Sequence, residues 1–202
     1  GAQKYKSETY TVEGDFSQAA FFLAMGSVVL TGLDKTSIQG DKDIVNVYRA
    51  MGMQIEDIEN GYVTDGKAVK NITVDVSQIP DCVPVLACVM AVCEGEGRIV
   101  NAARLRIKES DRLQAICQEL KNIGADVTEG EDYLVIRGKK SLSGGVCSSH
   151  NDHRIAMALA TISPWCTGEV FIKGAESVKK SMPDFWDRFR QLGGKADELN
   201  LG

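Results

Sequence analysis

The sequence has few prolines, no apolar run of membrane-spanning length and no excess of basic residues. Only 4 of its 202 residues are proline, while 44% are hydrophobic and 25% are charged. This composition is typical of a folded globular protein and argues against a disordered or collagen-like chain. A membrane-spanning helix needs about 20 apolar residues, which no segment supplies. Because the formal charge is −5, no overall field attracts nucleic acid or an anionic membrane, so an anionic ligand needs local cations.

Disulfide-type cysteine spacing is also missing, although the chain has 6 cysteines. Cys82, Cys88, Cys93 and Cys117 lie among Val, Ala, Leu and Met, where cysteine acts as a small buried hydrophobe. Neither a Cys-x-x-Cys pair nor a signal-peptide pattern is found, and we therefore expect a reducing, cytoplasmic compartment. The chain starts with Gly-Ala, and we expect this to be a processed end or a cut in a longer protein.

A unit of sequence repeats three times, at approximately residues 10–66, 71–138 and 144–202. Each copy opens with a short alternating strand, continues with an aspartate and then enters an apolar run with helical length. The aspartates are Asp15, Asp81 and Asp152. The opening strands are expected at 10–14, 72–77 and 145–149, and the apolar runs cover 16–30, 82–93 and 155–163.

The second half of each unit repeats as well. A helix opened by an aspartate and closed by a glycine is expected in every copy, because acidic residues favour helix starts and glycine favours helix ends. A hairpin follows in the first two copies only. The aspartates are Asp41, Asp111 and Asp184, the glycines are Gly52, Gly124 and Gly193, and the hairpins pair 54–57 with 62–65 and 126–129 with 133–137.

These patterns predict where helices and sheets lie. The first helix of each unit is apolar on nearly every side, whereas the strands alternate between apolar and polar residues. We therefore expect an α/β (α+β) fold in which three βαβαββ-type units surround a buried helical core with the sheets outside. Residues 1–202 are expected to form one domain whose third unit lacks its hairpin. No Gly-x-Gly-x-x-Gly follows a strand, so a doubly wound dinucleotide fold is not expected.

Charged residues are densest at two expected helix starts, 104–112 and 150–154. Equivalent helix starts in a threefold repeat lie at one end of a domain, so these segments and Asp81 can converge. Helix N-termini carry partial positive charge and free N–H groups, which suits phosphate and carboxylate. The cations that would join this site are Lys108, Arg112, Arg154 and Lys180.

The same residues also have plainer interpretations. Asp81 can be a helix cap, Lys180 can be one of a solvated lysine pair, and the charged clusters can be surface ion pairs. The spacing of Cys147, His150 and His153 suggests a zinc site, but no fourth ligand is evident and we predict no metal. His153 is better suited to hydrogen bonding or proton handling.

Six short segments of the chain resemble one enzyme family in the same order. They are 12–15 (Val-Glu-Gly-Asp), 39–41 (Gln-Gly-Asp), 79–81 (Ile-Pro-Asp), 105–113 (Leu-Arg-Ile-Lys-Glu-Ser-Asp-Arg-Leu), 151–158 (Asn-Asp-His-Arg-Ile-Ala-Met-Ala), and Lys180 followed by 183–185 (Pro-Asp-Phe). The resemblance is to the 5-enolpyruvylshikimate-3-phosphate synthases (3-phosphoshikimate 1-carboxyvinyltransferases), members of the enolpyruvyl transferase family. It covers nearly the whole chain but only the C-terminal half of the family's usual length.

The resemblance implies transfer of the enolpyruvyl group of phosphoenolpyruvate to the 5-hydroxyl of shikimate 3-phosphate, with release of phosphate, in aromatic amino-acid synthesis. It implies no metal or organic cofactor. Asp81 would be the base on the hydroxyl, and Glu109 would protonate the methylene carbon. Lys108 and Asp81 would bind shikimate 3-phosphate. Arg112, Arg154 and Lys180 would bind phosphoenolpyruvate, with Asp152 and His153 in supporting positions.

The resemblance also implies a partner, because the family's N-terminal domain closes on the substrates and is not part of this sequence. We therefore expect a C-terminal domain fragment that folds but does not turn over alone, with no nucleic-acid or membrane partner. Two alternatives stay open. One is a UDP-N-acetylglucosamine enolpyruvyl transferase of the same architecture, and the other is a non-catalytic domain that keeps the anion site.

Overall fold

The computed structural model of the chain describes residues 3–4, 9 and 11–199. Within them there are six α-helices and nine strands, and the strands form three separate sheets. The helices are α1 Phe16–Leu23, α2 Ile44–Ala50, α3 Val83–Met90, α4 Arg112–Asn122, α5 His153–Ile162 and α6 Phe185–Gln191. The strands are β1 Val29–Thr31, β2 Gln54–Ile58, β3 Gly61–Asp65, β4 Thr73–Asp75, β5 Glu96–Val100, β6 Asp126–Glu129, β7 Leu134–Arg137, β8 Gly145–Ser148 and β9 Val170–Lys173.

The centre of the molecule consists of the first helix of each repeat. Every residue of α3 and α5 is buried, and so is every residue of α1 except Gln18. The contact between α3 and α5 is the most extensive between any two helices of the described chain. This confirms the expected helical core with sheets outside, since helices that are apolar on all sides must be covered by other elements.

The three sheets share one plan and differ in which strands are present. The second sheet has the order β4-β5-β7-β6, in which β4 and β5 are parallel and the other pairs are antiparallel. The first sheet has the antiparallel order β1-β3-β2, and the third consists of the parallel pair β8-β9. Residues 193–199 form no strand, so within the described chain the third sheet has no hairpin.

The prediction of a strand at residues 10–14 is wrong for the part of it that the structure describes. Residues 11–14 form no strand, and Tyr10 lies outside the described residues. Val12 is 82% exposed and no strand of the described chain pairs beside β1 on that side, so an alternating pattern alone does not make a strand there. The apolar run 16–30 is also not one helix, because α1 ends at Leu23 and β1 begins at Val29.

The second helices and hairpins follow the sequence closely. Gly52, Gly124 and Gly193 have φ of 95°, 88° and 92°, the left-handed conformation that ends a helix and favours glycine. Asp111 accepts a hydrogen bond from the Gln114 amide and so caps α4. Asp41 lies in a 3-10 turn, Gly40–Asp43, directly before α2.

The burial of the cysteines agrees with their sequence surroundings. Cys82, Cys88, Cys93 and Cys117 are at most 2% exposed, and all six cysteines are free thiols. Burial raises the pKa of the Cys93 thiol to about 12, so it stays protonated at neutral pH. Among the described residues, no helix combines the length and apolar character needed to cross a membrane.

Candidate active site

The N-terminal ends of the three core helices meet at one end of the molecule. Asp15 caps α1, Asp152 caps α5, and Asp81 precedes α3. Arg154, in the first turn of α5, joins all three helices. Its Nη2 donates to Ser17 Oγ of α1 at 2.9 Å and its Nη1 donates to the Asp81 carbonyl at 3.3 Å. The expected convergence of repeat-equivalent helix starts is therefore present.

The Asp81 carboxylate lies among three cations. Its Oδ1 is 2.9 Å from Lys108 Nζ and 2.8 Å from Arg112 Nη1, and its Oδ2 is 3.4 Å from Arg154 Nη2. Asp81 lies inside the 3-10 segment Pro80–Cys82, and neither this segment nor α3 is capped by a side chain, so the cap interpretation of Asp81 is wrong. Burial raises the pKa of Asp81, but Arg154, Lys108 and Arg112 outweigh it and hold the pKa below its usual value.

Arg112 and Asp152 form a buried pair that joins the starts of α4 and α5. Arg112 donates from Nε to Asp152 Oδ2 at 2.7 Å and from Nη2 to Oδ1 at 3.3 Å. Asp152 also accepts from Ser110 Oγ and from the Arg154 amide. Burial raises the pKa of Asp152, but these hydrogen bonds and the Arg112 charge lower it by more. The pKa is therefore below its usual value, and the carboxylate is ionised at neutral pH. A two-point contact of this kind fixes the arginine in one orientation.

Two carboxylates of the site are open to solvent. The Asp81 side chain is 26% exposed, and the Glu109 side chain is 43% exposed. Glu109 Oε2 is 3.1 Å from His153 Nδ1, and Glu109 Oε1 is 3.7 Å from Arg112 Nη2. Burial lowers the pKa of His153, and the nearby Glu109 charge offsets this only in part. The imidazole is therefore neutral at pH 7, and its Nδ1–H donates to the Glu109 carboxylate.

Lys180 reaches the same end of the molecule from a different segment. It ends the 3-10 segment Ala175–Lys180, and its Nζ donates to the Asn151 carbonyl at 2.5 Å. Asn151 directly precedes Asp152. Lys180 is thus exposed, but its ammonium group is bound at the start of α5. The lysine of a fully solvated pair would have no such contact.

The sequence-suggested metal ligands do not converge. The Cys147 thiol lies 3.8 Å from the Glu119 carbonyl, and His150 Nε2 lies 2.6 Å from Glu119 Oε1. His153 instead contacts Glu109. Cys147 and His150 both contact Glu119 while His153 contacts Glu109, and among the described residues the three do not form a group of possible metal ligands, so the metal interpretation of this spacing is wrong.

One other group of possible metal ligands occurs in the described residues, namely Glu109, Asp152 and His153. The Asp152 carboxylate is already neutralised by Arg112 and accepts four hydrogen bonds from protein groups. A cation there would have to displace the buried guanidinium, so this arrangement favours an ion pair over a metal site.

The contacts of three residues at the site, Ser17, Ser110 and Arg106, had not been expected from the sequence. Ser17 accepts from Arg154, and Ser110 donates to Asp152. Arg106 donates to the Gly130 carbonyl at 2.6 Å and to Asp111, which ties the loop before α4 to the β6–β7 turn. One signal was available for Ser17, because it stands two residues after its repeat aspartate, as Arg154 does.

Cations are concentrated at this end of the molecule, although the chain carries −5 overall. Lys108, Arg112 and Arg154 lie within 3.4 Å of the Asp81 carboxylate, and Lys180 is bound at the start of α5. The Asp81 and Glu109 carboxylates both lie near the Arg112 guanidinium. Fixed arginines beside two carboxylates are typical of enzyme sites that bind anions and use acid–base chemistry.

Comparison with known proteins agrees with this class. The model of the family described as EPSP synthase (3-phosphoshikimate 1-carboxyvinyltransferase) matches residues 1–189. The 3-phosphoshikimate 1-carboxyvinyltransferase of Clostridium kluyveri is 52% identical over an alignment of 206 residues that covers 100% of this chain and 48% of that protein. The one from Clostridium acetobutylicum is 49% identical over an alignment of 208 residues that covers 100% of this chain and 48% of the relative. An Acinetobacter baumannii EPSP synthase structure superposes with a TM-score of 0.79 and 30% identity over 90% of this chain and 46% of its own.

The chain belongs to the EPSP synthase family. It spans about half the length of the relatives that it matches.

Proposed function

We propose that this chain supplies one half of the active site of an enzyme that transfers the enolpyruvyl group of phosphoenolpyruvate to the 5-hydroxyl of shikimate 3-phosphate and releases phosphate. The observation that carries this proposal is the Asp81 carboxylate, held by Lys108, Arg112 and Arg154 beside Glu109. The names of the relatives support the choice of reaction.

The proposed reaction has two steps, an addition and an elimination, and each step needs two proton transfers. In the addition, Asp81 accepts the 5-hydroxyl proton while that oxygen bonds to C2 of phosphoenolpyruvate. Glu109, which enters this step in its protonated form, gives a proton to the methylene carbon and becomes a carboxylate, and the methylene carbon becomes a methyl group. In the elimination, the methyl group returns a proton to the Glu109 carboxylate, and Asp81 gives its proton to the departing phosphate as the C2–O bond to phosphate breaks. General acid–base groups at such positions typically contribute about 10²–10⁴-fold in rate.

The remaining polar residues bind and orient in this proposal. Arg112, Arg154 and Lys180 hold the anionic groups of phosphoenolpyruvate, because a multiply charged substrate needs several cations. Lys108, together with Asp81, contacts shikimate 3-phosphate. Asp152 and His153 are positioning residues: Asp152 fixes the Arg112 guanidinium through two hydrogen bonds, and the His153 imidazole orients Glu109.

The same cations serve Asp81 and phosphoenolpyruvate, which couples binding to proton transfer. The cations around Asp81 hold its pKa low, so in this state it is a weak base. A phosphate or carboxylate bound to Arg112 and Arg154 shares their charge and weakens its effect on Asp81. Substrate binding therefore raises the basicity of Asp81 when it is needed.

The other half of the enzyme is part of the proposal. The matched relatives are about twice as long as this chain, and we propose that their remaining half completes both substrate sites as the partner of residues 1–202, which form one domain. The test is phosphate release from phosphoenolpyruvate and shikimate 3-phosphate by this chain joined to the N-terminal half of the Clostridium kluyveri relative. Release that requires a UDP-sugar in place of shikimate 3-phosphate, or no release at all, would contradict the proposal.

A further inference from the structure

The turn between β8 and α5 has an unusual backbone conformation. His150 and Asn151 are consecutive non-glycine residues with φ of 51° and 55°. Residues with side chains rarely adopt the left-handed region, and they hold it only where the surroundings impose it. Asn and His adopt this conformation more often than most residues, but two such residues in succession still need contacts that hold them there.

Within the turn, the His150 amide donates to Ser148 Oγ and the Asn151 amide donates to Ser149 Oγ, and the contacts of Glu119 hold the turn from outside. This buried residue of α4 accepts hydrogen bonds at Oε2 from the Ser148 amide at 3.0 Å and from Asn122 Nδ2 at 2.9 Å. Its Oε1 lies 2.6 Å from His150 Nε2. One carboxylate thus binds both the backbone and the side chain of the turn.

Glu119 stands seven residues after Arg112, which places both on the same face of α4, about two helical turns apart. Arg112 binds Asp152 where the turn ends, and Glu119 binds Ser148 and His150 where it begins. Helix α4 therefore holds the turn at both ends.

The turn conformation has a direct effect on the anion site. With positive φ at both residues, the carbonyl of Asn151 points to Lys180 and accepts a hydrogen bond from its Nζ at 2.5 Å. Lys180 is exposed, and this contact holds its ammonium group at the start of α5. Glu119 and His150 are not among the residues that contact substrate in the proposed reaction.

We propose that Glu119 and His150 are positioning residues, whose contact keeps the β8–α5 turn left-handed and so directs Asn151 to place Lys180 for phosphoenolpyruvate. This role rests on the proposed function, because it assigns Lys180 to that substrate. The imidazole acts through the backbone conformation of the turn and makes no contact with the substrate itself.

The test compares two substitutions of His150 that both remove the imidazole. Glycine adopts φ near 50° without strain, whereas a β-branched valine strongly disfavours it. In the joined full-length enzyme, we expect His150→Val to raise the KM for phosphoenolpyruvate about tenfold, with kcat changed less than about twofold. His150→Gly is expected to keep both values within about twofold of the original enzyme. An equal rise in KM for both variants would overturn the proposal, since the imidazole itself would then be needed, and so would an unchanged KM in His150→Val.

A second variant covers the case in which His150→Val does not fold. Glu119→Gln keeps an acceptor oxygen for the Ser148 amide but replaces the oxygen that faces His150 Nε2 with an amide nitrogen, and we expect its KM for phosphoenolpyruvate to rise while kcat stays. Glu94→Gln, at an exposed glutamate elsewhere, is the matched control and should match the original enzyme. A Glu119→Gln enzyme with an unchanged KM would overturn the proposal.

A structural readout separates this inference from the proposed function. Crystal structures of the 202-residue chain with His150→Gly and Glu119→Gln give φ at position 150 and the distance from Lys180 Nζ to the Asn151 carbonyl, whether or not the enzyme turns over. We expect the hydrogen bond to persist in His150→Gly and to be lost in Glu119→Gln. Its persistence in Glu119→Gln, with φ unchanged, would overturn the inference even if the proposed function holds.

Discussion

Arg112 and Asp81 are joined by a 2.8 Å contact between Nη1 and Oδ1, while the Nε of the same guanidinium lies 2.7 Å from Asp152. One buried arginine therefore connects the carboxylate that is open to solvent with the carboxylate that is fully buried. Its first contact serves the proposed chemistry, and its second joins the starts of two helices. Substitutions that act on one contact or the other should have different consequences.

The Arg112–Asp152 pair should be a large contribution to stability. Arg112→Met removes the guanidinium and leaves the buried Asp152 carboxylate without a counter-charge, which we expect to lower the free energy of unfolding by about 3–5 kcal/mol. Chemical denaturation of the 202-residue chain measures this. Arg137→Met breaks a surface pair with Glu96 and is the control, with an expected loss of about 0–1 kcal/mol. Similar losses of unfolding free energy in both variants would show that the buried pair stabilises the fold no more than a surface pair does.

Asp81→Asn should separate binding from turnover. Without the carboxylate charge, the surrounding cations are free for an anion, so the Kd for phosphoenolpyruvate should decrease in the joined enzyme. Turnover should fall by about 10²–10⁴-fold because the base is missing. Calorimetric titration and phosphate release measure the two effects. Asp126→Asn, at a half-exposed surface pair with Arg137, should change neither value. Weaker binding by Asp81→Asn would contradict the competition between Asp81 and substrate.

Glu109→Gln tests the proton donor. The amide keeps the size of the side chain but cannot give a proton to the methylene carbon. We expect kcat to fall by about 10²–10⁴-fold, with a smaller change in the KM for phosphoenolpyruvate, as measured by phosphate release. Glu96→Gln is the matched control on an exposed strand. Full activity in Glu109→Gln would mean that another group supplies this proton.

His153 should titrate below the usual value for histidine. Burial lowers its pKa, and Glu109 partly offsets this, so Glu109→Gln should lower the NMR titration midpoint of His153 further. In the unfolded state the pKa of His153 is about 6.5. Between the lower pKa of the folded state and about 6.5, the unfolded state binds more protons, so His153 makes the free energy of unfolding rise with pH in that range. Above about pH 6.5 this contribution to stability is complete. A midpoint above 6.5, or an upward shift in Glu109→Gln, would contradict this account.

Much of the fold was predictable because its signals are local or repeated. The apolar runs around Leu86 and Met157 contain too few polar residues to lie at a surface, and positive φ at Gly52 and Gly124 follows from helix ends that need glycine. The expected strand at residues 11–14 failed because a strand depends on a partner, and sequence alternation does not show whether one is present.

The candidate site was predictable in part. The threefold repeat indicated that Asp81 and Arg154 would meet, because equivalent helix starts lie at one end. The pairing of Glu119 with His150 was not predictable, since these residues are 31 positions apart and neither stands at a repeat-equivalent position. The proximity of Glu109 to His153, 44 positions apart, likewise depends on how α4 packs beside α5.

The most direct test of the central claim is the rate of phosphate release from phosphoenolpyruvate and shikimate 3-phosphate, measured for the 202-residue chain alone and for the chain joined to the N-terminal half of the Clostridium kluyveri relative. We predict no release above background by the chain alone, and release by the joined enzyme that is lost in Asp81→Asn. Release by the chain alone, or release by the joined enzyme that Asp81→Asn leaves unchanged, would contradict the account.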